Sequence, residues 1–437
     1  MNLDEFQKRR EQILQKMEPN SIAIISAAPE IIRNGDNHYR YRQNSDFYYL
    51  TGFCEPEAVA VLISDNNRNE FILFNRPRNA EQEIWVGERA GVEGACSVFG
   101  ASQAFSIAEM NETMPKLLAN RNIIYWSIGY DKIFDQQITE WLNQLRTQSR
   151  KGVQVPEQFY ALDDLLHEMR LIKSDHEIIC MRKAADVSVN AHKKAMQHCK
   201  PGLMEYEIEA VLRYEFIRQG CISQAYPAIV AGGKNACTLH YIDNDQALQS
   251  GDLLLIDAGA EYEYYASDIT RTFPINGRFT AEQKAIYEIV LAAQLAGIAE
   301  VYPGNAWPNI QKKIIQIITE GLVELGILKG SVSDLIELQA YKEFYMHNSG
   351  HWLGLDVHDV GAYRTHDNWR TLAPGMVLTV EPGIYIRNTS DKIDPCWHNI
   401  GIRIEDDVLV TEESHEVFTQ GLIKDVIEIE YLVGHKG

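Results

Sequence analysis

The sequence predicts two domains, an α/β domain followed by an α+β domain, and three observations carry that expectation. First, its 437 residues exceed what one hydrophobic core normally holds, since cores stop growing near about 250–300 residues. Second, short apolar runs alternate with helical patterns in the first part, as in an α/β layer fold. Third, strand-like stretches in the second part stand beside long helical ones, which reads as α+β. The boundary is placed near residue 172, giving domains 1–172 and 173–437.

Residues 4–17 read as a surface helix. The apolar run Ser21-Ile-Ala-Ile-Ile-Ser26 suits a buried strand, and residues 58–63, 70–75 and 122–128 repeat that pattern. Residues 134–148 are helical by periodicity. Asn34-Gly35-Asp36 and Gln43-Asn44-Ser45-Asp46 are rich in turn formers and read as connectors. Residues 152–156 are surface loop. A long helix is expected from Ser174, its N-cap, to Cys199, closed by Lys200-Pro201-Gly202. Further helices are expected over 205–219, 287–302 and 308–325. Residues 251–273 and 375–411 are strand-like.

Composition narrows the function. The formal net charge of −20 offers no basic face for a phosphate backbone, so nucleic acid is excluded as a partner. No run approaches the roughly 18 apolar residues that span a bilayer, so no membrane role is expected. The charged N-terminus has no apolar centre and does not read as a secretory signal. A cytoplasmic protein is expected. Seven cysteines are scattered without a CxxC pair, which argues against a disulfide framework and a zinc knuckle.

Four segments carry candidate chemistry. In Leu253-Leu-Leu-Ile-Asp257 an apolar strand runs into a carboxylate, and a turn leads to Ser267-Asp268-Ile-Thr-Arg271. If the two strands pair, both aspartates face one point; the plainer alternative is that each caps a turn. Met346-His347-Asn-Ser-Gly350-His351-Trp-Leu-Gly354-Leu-Asp-Val-His358-Asp359 places three histidines in a glycine-rich stretch. Histidine is a common metal ligand and general base, and glycine admits close backbone approach. In Val377-Leu-Thr-Val-Glu381-Pro-Gly383, strand alternation puts Thr379 and Glu381 on one face. In Gly401-Ile-Arg403-Ile-Glu405-Asp-Asp407 the isoleucines point one way, and Arg403 and Glu405 the other. If Asp257, Asp268, Glu381, Glu405 and His351 converge, their carboxylates repel one another and call for cations. Oxygen donors with a single imidazole suit Mn²⁺ or a similar ion better than thiolate-bound zinc. Two such ions about 3.5–4 Å apart can share a water and lower its pKa.

The order Asp257, Asp268, His351, Glu381, Glu405 resembles the five metal ligands of the pita-bread metallopeptidases, which include methionine aminopeptidase, prolidase and aminopeptidase P. The HxxGxxxHD stretch from His351 to Asp359 and Ile402-Arg403-Ile404-Glu405-Asp406 are the specific signals. Within that family the resemblance is to the aminopeptidase P branch and covers nearly the whole chain. It includes Tyr41-Arg-Gln-Asn-Ser-Asp46-Phe, Thr51-Gly-Phe, Glu55-Pro-Glu-Ala58, His167-Glu-Met-Arg170, His240-Tyr241 and Ser267-Asp-Ile-Thr-Arg-Thr-Phe-Pro274.

The resemblance implies a creatinase-like α/β N-domain and a pita-bread α+β catalytic domain. It implies a metal-dependent exopeptidase that releases the first residue of peptides with proline second. Two divalent ions, with Mn²⁺ expected, would be held by Asp257 on one side and by His351 and Glu381 on the other, with Asp268 and Glu405 bridging. A hydroxide between them would attack the scissile carbonyl, and Glu381 would take the proton. His240 and His358 would contact substrate carbonyls, and Arg403 would orient His358 or the substrate chain. His347 would line the proline pocket and Asp36 would receive the free amino terminus. Trp85 would reach a neighbouring subunit's site in a homo-oligomer, a dimer or tetramer. Two features depart from the family pattern: Asn348-Ser349, where glycine and an apolar residue are usual, and the loop 387–399. The competing readings are prolidase acting on Xaa-Pro dipeptides, a non-peptidase pita-bread protein, and a cysteine hydrolase using Cys237 three residues before His240.

Overall fold

Residues 3–65, 69–389 and 393–433 are described by the computed structural model, and the chain divides into two units, Met1–His167 and Glu168–Gly437.

In the first unit the apolar runs form one six-stranded sheet. Its order is Gln103–Ser106, Glu70–Asn75, Val59–Ser64, Ser21–Ser26, Ile123–Tyr125, Gln158–Tyr160. The pairings Ser21–Ser26 with Val59–Ser64 and Val59–Ser64 with Glu70–Asn75 are antiparallel, and the remaining three are parallel. Continuous apolar strands need cover on both faces. One face packs Ile22, Ile24, Val61 and Phe74 against Met114, Leu118, Phe134, Ile138 and Trp141. Helices Leu3–Lys16 and Ser45–Thr51 lie against the same strands.

Two local expectations change. The helix Leu3–Lys16 is not merely a surface element: it buries Phe6, Ile13 and Leu14, and also Arg9 and Arg10. Those guanidiniums donate to the carbonyls of Tyr49 and Leu50, at 3.2 and 2.8 Å. There they satisfy orphan acceptors and complement the negative end of helix Ser45–Thr51. The stretch around Asn44 is not a plain connector either. Asn44 caps that helix by accepting from the Phe47 N–H, and the buried Gln43 amide bridges Ala28, Phe53 and Glu55.

In the second unit, Ser174 and Glu177 form a capping box that starts helix Asp175–His198. Helices Glu205–Arg218, Ala281–Ala299 and Trp307–Glu324 follow. Helix Ala281–Ala299 begins six residues before the expected start at 287, because Thr280 and Gln283 make a second capping box. Small antiparallel sheets lie against these helices. One has the order Ile229–Gly232, Leu253–Asp257, Thr270–Pro274; another has Val377–Val380, Asp406–Val410, His415–Val417; a third pairs Gly383–Ile386 with Ile400–Arg403. One large core joins them, from Val187 and Leu212 through Leu254 and Ile314 to Ile402 and Val408. Among the described residues no helix is long and apolar enough to cross a membrane.

Candidate metal centre

All five expected ligands come together within the second unit, at places where strands end. Asp257 closes strand Leu253–Asp257 and lies opposite Thr270 on the antiparallel neighbour. Between them the chain makes a small hairpin, Ala260–Tyr262 with Tyr265–Ala266, and returns as Ser267-Asp268. Gly259 permits this return: a Cβ there would stand 1.6 Å from the Ser267 carbonyl oxygen. Glu381 follows strand Val377–Val380, and Glu405 lies between Ile400–Arg403 and Asp406–Val410. The irregular segment carrying His351 runs alongside. Its backbone exchanges hydrogen bonds with this strand, Thr379 N–H to the His351 carbonyl and Glu381 N–H to the Ser349 carbonyl, both 2.9 Å. Gly350 makes that approach possible, since a Cβ would meet the Thr379 carbonyl oxygen at 2.0 Å.

His351 Nε2 lies 3.4 Å from Asp268 and 3.5 Å from Glu381. Asp268, His351 and Glu405 each offer a ligand atom within 4.8 Å of the others. The Nδ1–H of His351 donates to the Trp352 carbonyl at 2.9 Å, which fixes the tautomer and leaves Nε2 as donor to a cation. The Tyr226 hydroxyl sits between Asp257 and Asp268, at 2.6 and 2.5 Å. Thr270 donates to Glu405 at 2.6 Å. Asp407 holds Asp268 from below, accepting from its N–H at 3.1 Å and from the Ser267 hydroxyl at 2.8 Å. Arg403 reaches Asp257 at 2.6 Å, Tyr385 at 3.0 Å and Thr270 at 3.1 Å. Arg403 thus holds a ligand carboxylate, a contact beyond the expected role toward His358 or the substrate chain.

The electrostatics follow from crowding. Burial raises Asp257, and Arg403 opposes that only partly. Burial followed by the neighbouring Asp268 and Glu381 pushes Glu405 well up. Glu381 rises to about 7, through burial against the attraction of His351. Burial also works on Asp268, but hydrogen bonds and charge from His351 hold it below the ordinary carboxylate range. Burial disfavours charge on His351, yet Asp268 and Glu381 lift it to about 9. Four converging carboxylates with one imidazole are thus a donor set short of positive charge. Hard or borderline divalent ions fit it, because they favour oxygen ligands and neutralise the repulsion.

The centre opens into a cleft of about 600 Å³ lined by His240, His347 and His358 together with the ligands. His358 sits edge-on to His351, ring centres 4.3 Å apart. Burial, then the positive Arg403, lowers His347 to about 4, so the ring is neutral. Its Nδ1–H donates to the Asn348 carbonyl and its Nε2 accepts from the Tyr385 hydroxyl at 2.9 Å. Asn348 also lines the cleft. Ser349 is buried, with its N–H on Gln311.

Three expected features belong to other segments of the chain. Asp36 stands exposed in the turn of the hairpin Ile32–Asn34 with Asn37–His38, and Trp85, 87% exposed, is on helix Ala80–Val86. Both belong to the first unit. In the loop 387–399, residues 390–392 fall outside the described residues; Arg387 binds the Cys237 carbonyl at 3.0 Å. Cys237 itself is buried, and burial pushes its thiol up to about 11. A buried thiol that stays protonated at neutral pH is a poor nucleophile, which counts against the cysteine-hydrolase reading. Tyr226, Thr270, Tyr385 and Asp407 were not anticipated. Thr270 and Asp407 stand within two residues of ligands; Tyr226 and Tyr385 carried no signal in the sequence.

Comparison with known proteins gives the family. Residues 179–412 match metallopeptidase family M24, and residues 6–125 match the aminopeptidase P N-terminal domain. The chain is 45% identical to the Xaa-Pro aminopeptidase of Escherichia coli, over 98% of this chain and 97% of that protein. The structure of Pseudomonas aeruginosa aminopeptidase PepP superposes with a TM-score of 0.98 at 52% identity, covering 99% of this chain and 98% of that one. Zn-substituted E. coli aminopeptidase P in complex with product superposes with a TM-score of 0.96 at 44% identity, covering 99% and 98%.

Proposed function

The chain belongs to metallopeptidase family M24, and on that premise we propose that it releases the first residue from peptides whose second residue is proline, using divalent ions held by Asp257, Asp268, His351, Glu381 and Glu405. It is a metal-dependent exopeptidase with a creatinase-like N-terminal domain and a pita-bread catalytic domain. The observation that carries the reading is the convergence of four carboxylates and one imidazole at the floor of a cleft whose walls bear three further histidines.

Divalent ions supply Lewis acidity and a hydroxide nucleophile near neutral pH. The protein supplies the rest. Glu381, a carboxylate lining the cleft beside the ligands, is placed to accept a proton. His240 and His358 face the cleft, where ring N–H groups donate to substrate carbonyl oxygens and to the negative charge that grows there. Burial and then the adjacent His351 lower His358, so it acts as a neutral hydrogen-bond donor. Arg403 fixes Asp257 and, through Tyr385, the neutral His347. The neutral His347 ring lines the cleft and offers an uncharged wall suited to a proline ring. Asp36 receives the substrate ammonium group, and Trp85 contributes to a neighbouring subunit's cleft in a dimer or tetramer. Mn²⁺ is the expected metal, two ions per chain the expected stoichiometry, and the cytoplasm the expected location. The domain limits 1–172 and 173–437 complete the reading.

Prolidase is the nearest alternative, since it shares the ligand set. The match of residues 6–125 favours the aminopeptidase. The test is amino-acid release by chelator-stripped protein, with and without Mn²⁺, from Xaa-Pro-Xaa, Xaa-Pro and Xaa-Ala-Xaa. Mn²⁺-dependent cleavage chiefly of the first is expected. Preference for the dipeptide would make the protein a prolidase.

A further inference from the structure

A second group of metal-binding side chains lies in the same unit and has no part in the chemistry above. His176 and Cys180 stand one helical turn apart at the start of helix Asp175–His198, so their side chains share a face. Glu263 faces them from the two-residue turn that joins Tyr262 to Tyr265. Each of the three offers a ligand atom within 4.8 Å of the others, and the Cys180 thiol already points to the Glu263 carboxylate at 3.8 Å.

Two further observations give the group the character of a site. The Nε2 of His176 is sealed from solvent and has no hydrogen-bond partner. A buried imidazole nitrogen normally finds one, and leaving it without costs about 1–3 kcal/mol. The ligands are also held in register. The Tyr265 hydroxyl donates to Glu177 at 2.9 Å, which ties the helix start to the hairpin one residue from His176. In the turn, Glu263 and Tyr264 both have left-handed backbones, φ 47° and 72°, the geometry of a tight hairpin turn.

We propose that His176, Cys180 and Glu263 bind a zinc ion apart from the catalytic centre. A thiolate, an imidazole and a carboxylate are the donors zinc prefers, and three protein ligands leave the fourth tetrahedral position for water. The catalytic cluster, by contrast, has no sulfur ligand and is dominated by oxygen. Burial and then the Glu263 charge push the Cys180 thiol up to about 12. Metal binding therefore releases the thiol proton to solvent, and affinity rises with pH. The hairpin that carries Glu263 leads directly to Ser267-Asp268. An ion here would clip the helix start to the turn that precedes a catalytic ligand.

The absence of sulfur from the catalytic cluster makes the site separable by spectroscopy. Full-length protein is stripped of metal, reloaded with Mn²⁺, and titrated with Co²⁺ as a zinc surrogate. Wild type is expected to develop a thiolate-to-cobalt charge-transfer band in the near ultraviolet that saturates at a single further equivalent. Cys180→Ser and His176→Gln should lose the band. Glu263→Gln, in an exposed turn where folding is not at risk, should weaken Co²⁺ binding about tenfold or more. Absence of the band from wild type would overturn the proposal. So would its persistence in Cys180→Ser, which would assign it to the exposed Cys54, Cys96 or Cys396.

Discussion

Glu205 offers a sharp test of how the cleft is held, because it is no ligand and lines no cleft, yet it organises the segment that carries His240. The side chain is fully buried in the first turn of helix Glu205–Arg218. One carboxylate oxygen accepts from the Gly232 N–H at 2.7 Å and the Asn235 amide at 3.1 Å. The other accepts from the Tyr241 hydroxyl at 2.8 Å and the Gln246 N–H at 2.9 Å. His240 is adjacent to one of these donors and lies between the outer two in sequence. In Glu205→Gln the new NH₂ group faces two donors whichever way the amide turns. Each buried donor left unmade costs about 1–3 kcal/mol. Since the donor residues themselves are only part-buried, the lower half of that range applies, and the two together give a loss of about 3 kcal/mol. The freed segment should also misplace His240, and a shift of about 1 Å can lower turnover about 100-fold. Urea denaturation, kcat/KM on an Xaa-Pro-Xaa peptide and metal content by mass spectrometry read the three consequences. Metal content should not change, because no ligand lies on the segment. Wild-type stability and rate in Glu205→Gln would refute the reasoning. Metal loss in proportion to lost activity would show that Glu205 acts through the centre instead.

Further outcomes follow from the same geometry. Glu381→Ala removes a ligand and the proton acceptor together, so it should abolish turnover and weaken metal binding; full activity with full metal content would sink the assignment. His358→Ala should lower the chemical step while leaving metal content intact, and equal loss of both would make His358 structural or a ligand. Burial holds His192 down to about 4 from an ordinary 6.5, with its ring on the Ala258 carbonyl at 2.8 Å. The folded state disfavours the proton that the unfolded chain takes up. Its contribution is therefore complete above about pH 6.5 and is lost as pH falls toward 4, a change of about 3 kcal/mol. His192→Gln should flatten the stability profile in that window by a similar amount, and an unchanged slope would show that other groups dominate it.

The ligand set was legible because each member interrupts a pattern. Asp257 ends an apolar strand, Glu381 ends another before Pro382, and Glu405 sits among isoleucines. A charge at such a place needs a partner if it is buried, and the partners turned out to be one another. The long helices were legible for a related reason, since Ser174 and Glu177 announce one start in the sequence. The start at Thr280 was announced the same way and passed over because the apolar periodicity of that helix becomes clear only later. The role of Gln43-Asn44 was misread as connection. A stretch of turn formers looks the same whether it links two elements or caps one, and only the burial of Gln43 separates the cases.

The supports of the site were harder to read, and the reason is physical. Tyr226, Thr270 and Tyr385 hold ligands through single hydroxyls, and a hydroxyl leaves no periodic trace in a chain. Asp407 is the clearest instance. It sits two residues beyond Glu405, where an unbroken strand would put it on the same face. Instead the strand breaks at Glu405, and Asp407 turns beneath the neighbouring hairpin to accept from Ser267 and from the Asp268 backbone. Burial, then the nearby Asp268, pushes its carboxyl well above the ordinary range, while the Ser267 hydroxyl and the Asp268 N–H work the other way. The centre thus uses neighbouring aspartates for opposite purposes. Asp268 turns its carboxylate to His351 at 3.4 Å, while Asp407 braces it from behind by accepting from its N–H and from the Ser267 hydroxyl. Sequence shows two identical residue types; only the placement of His351 on one side and closed backbone on the other gives them different work.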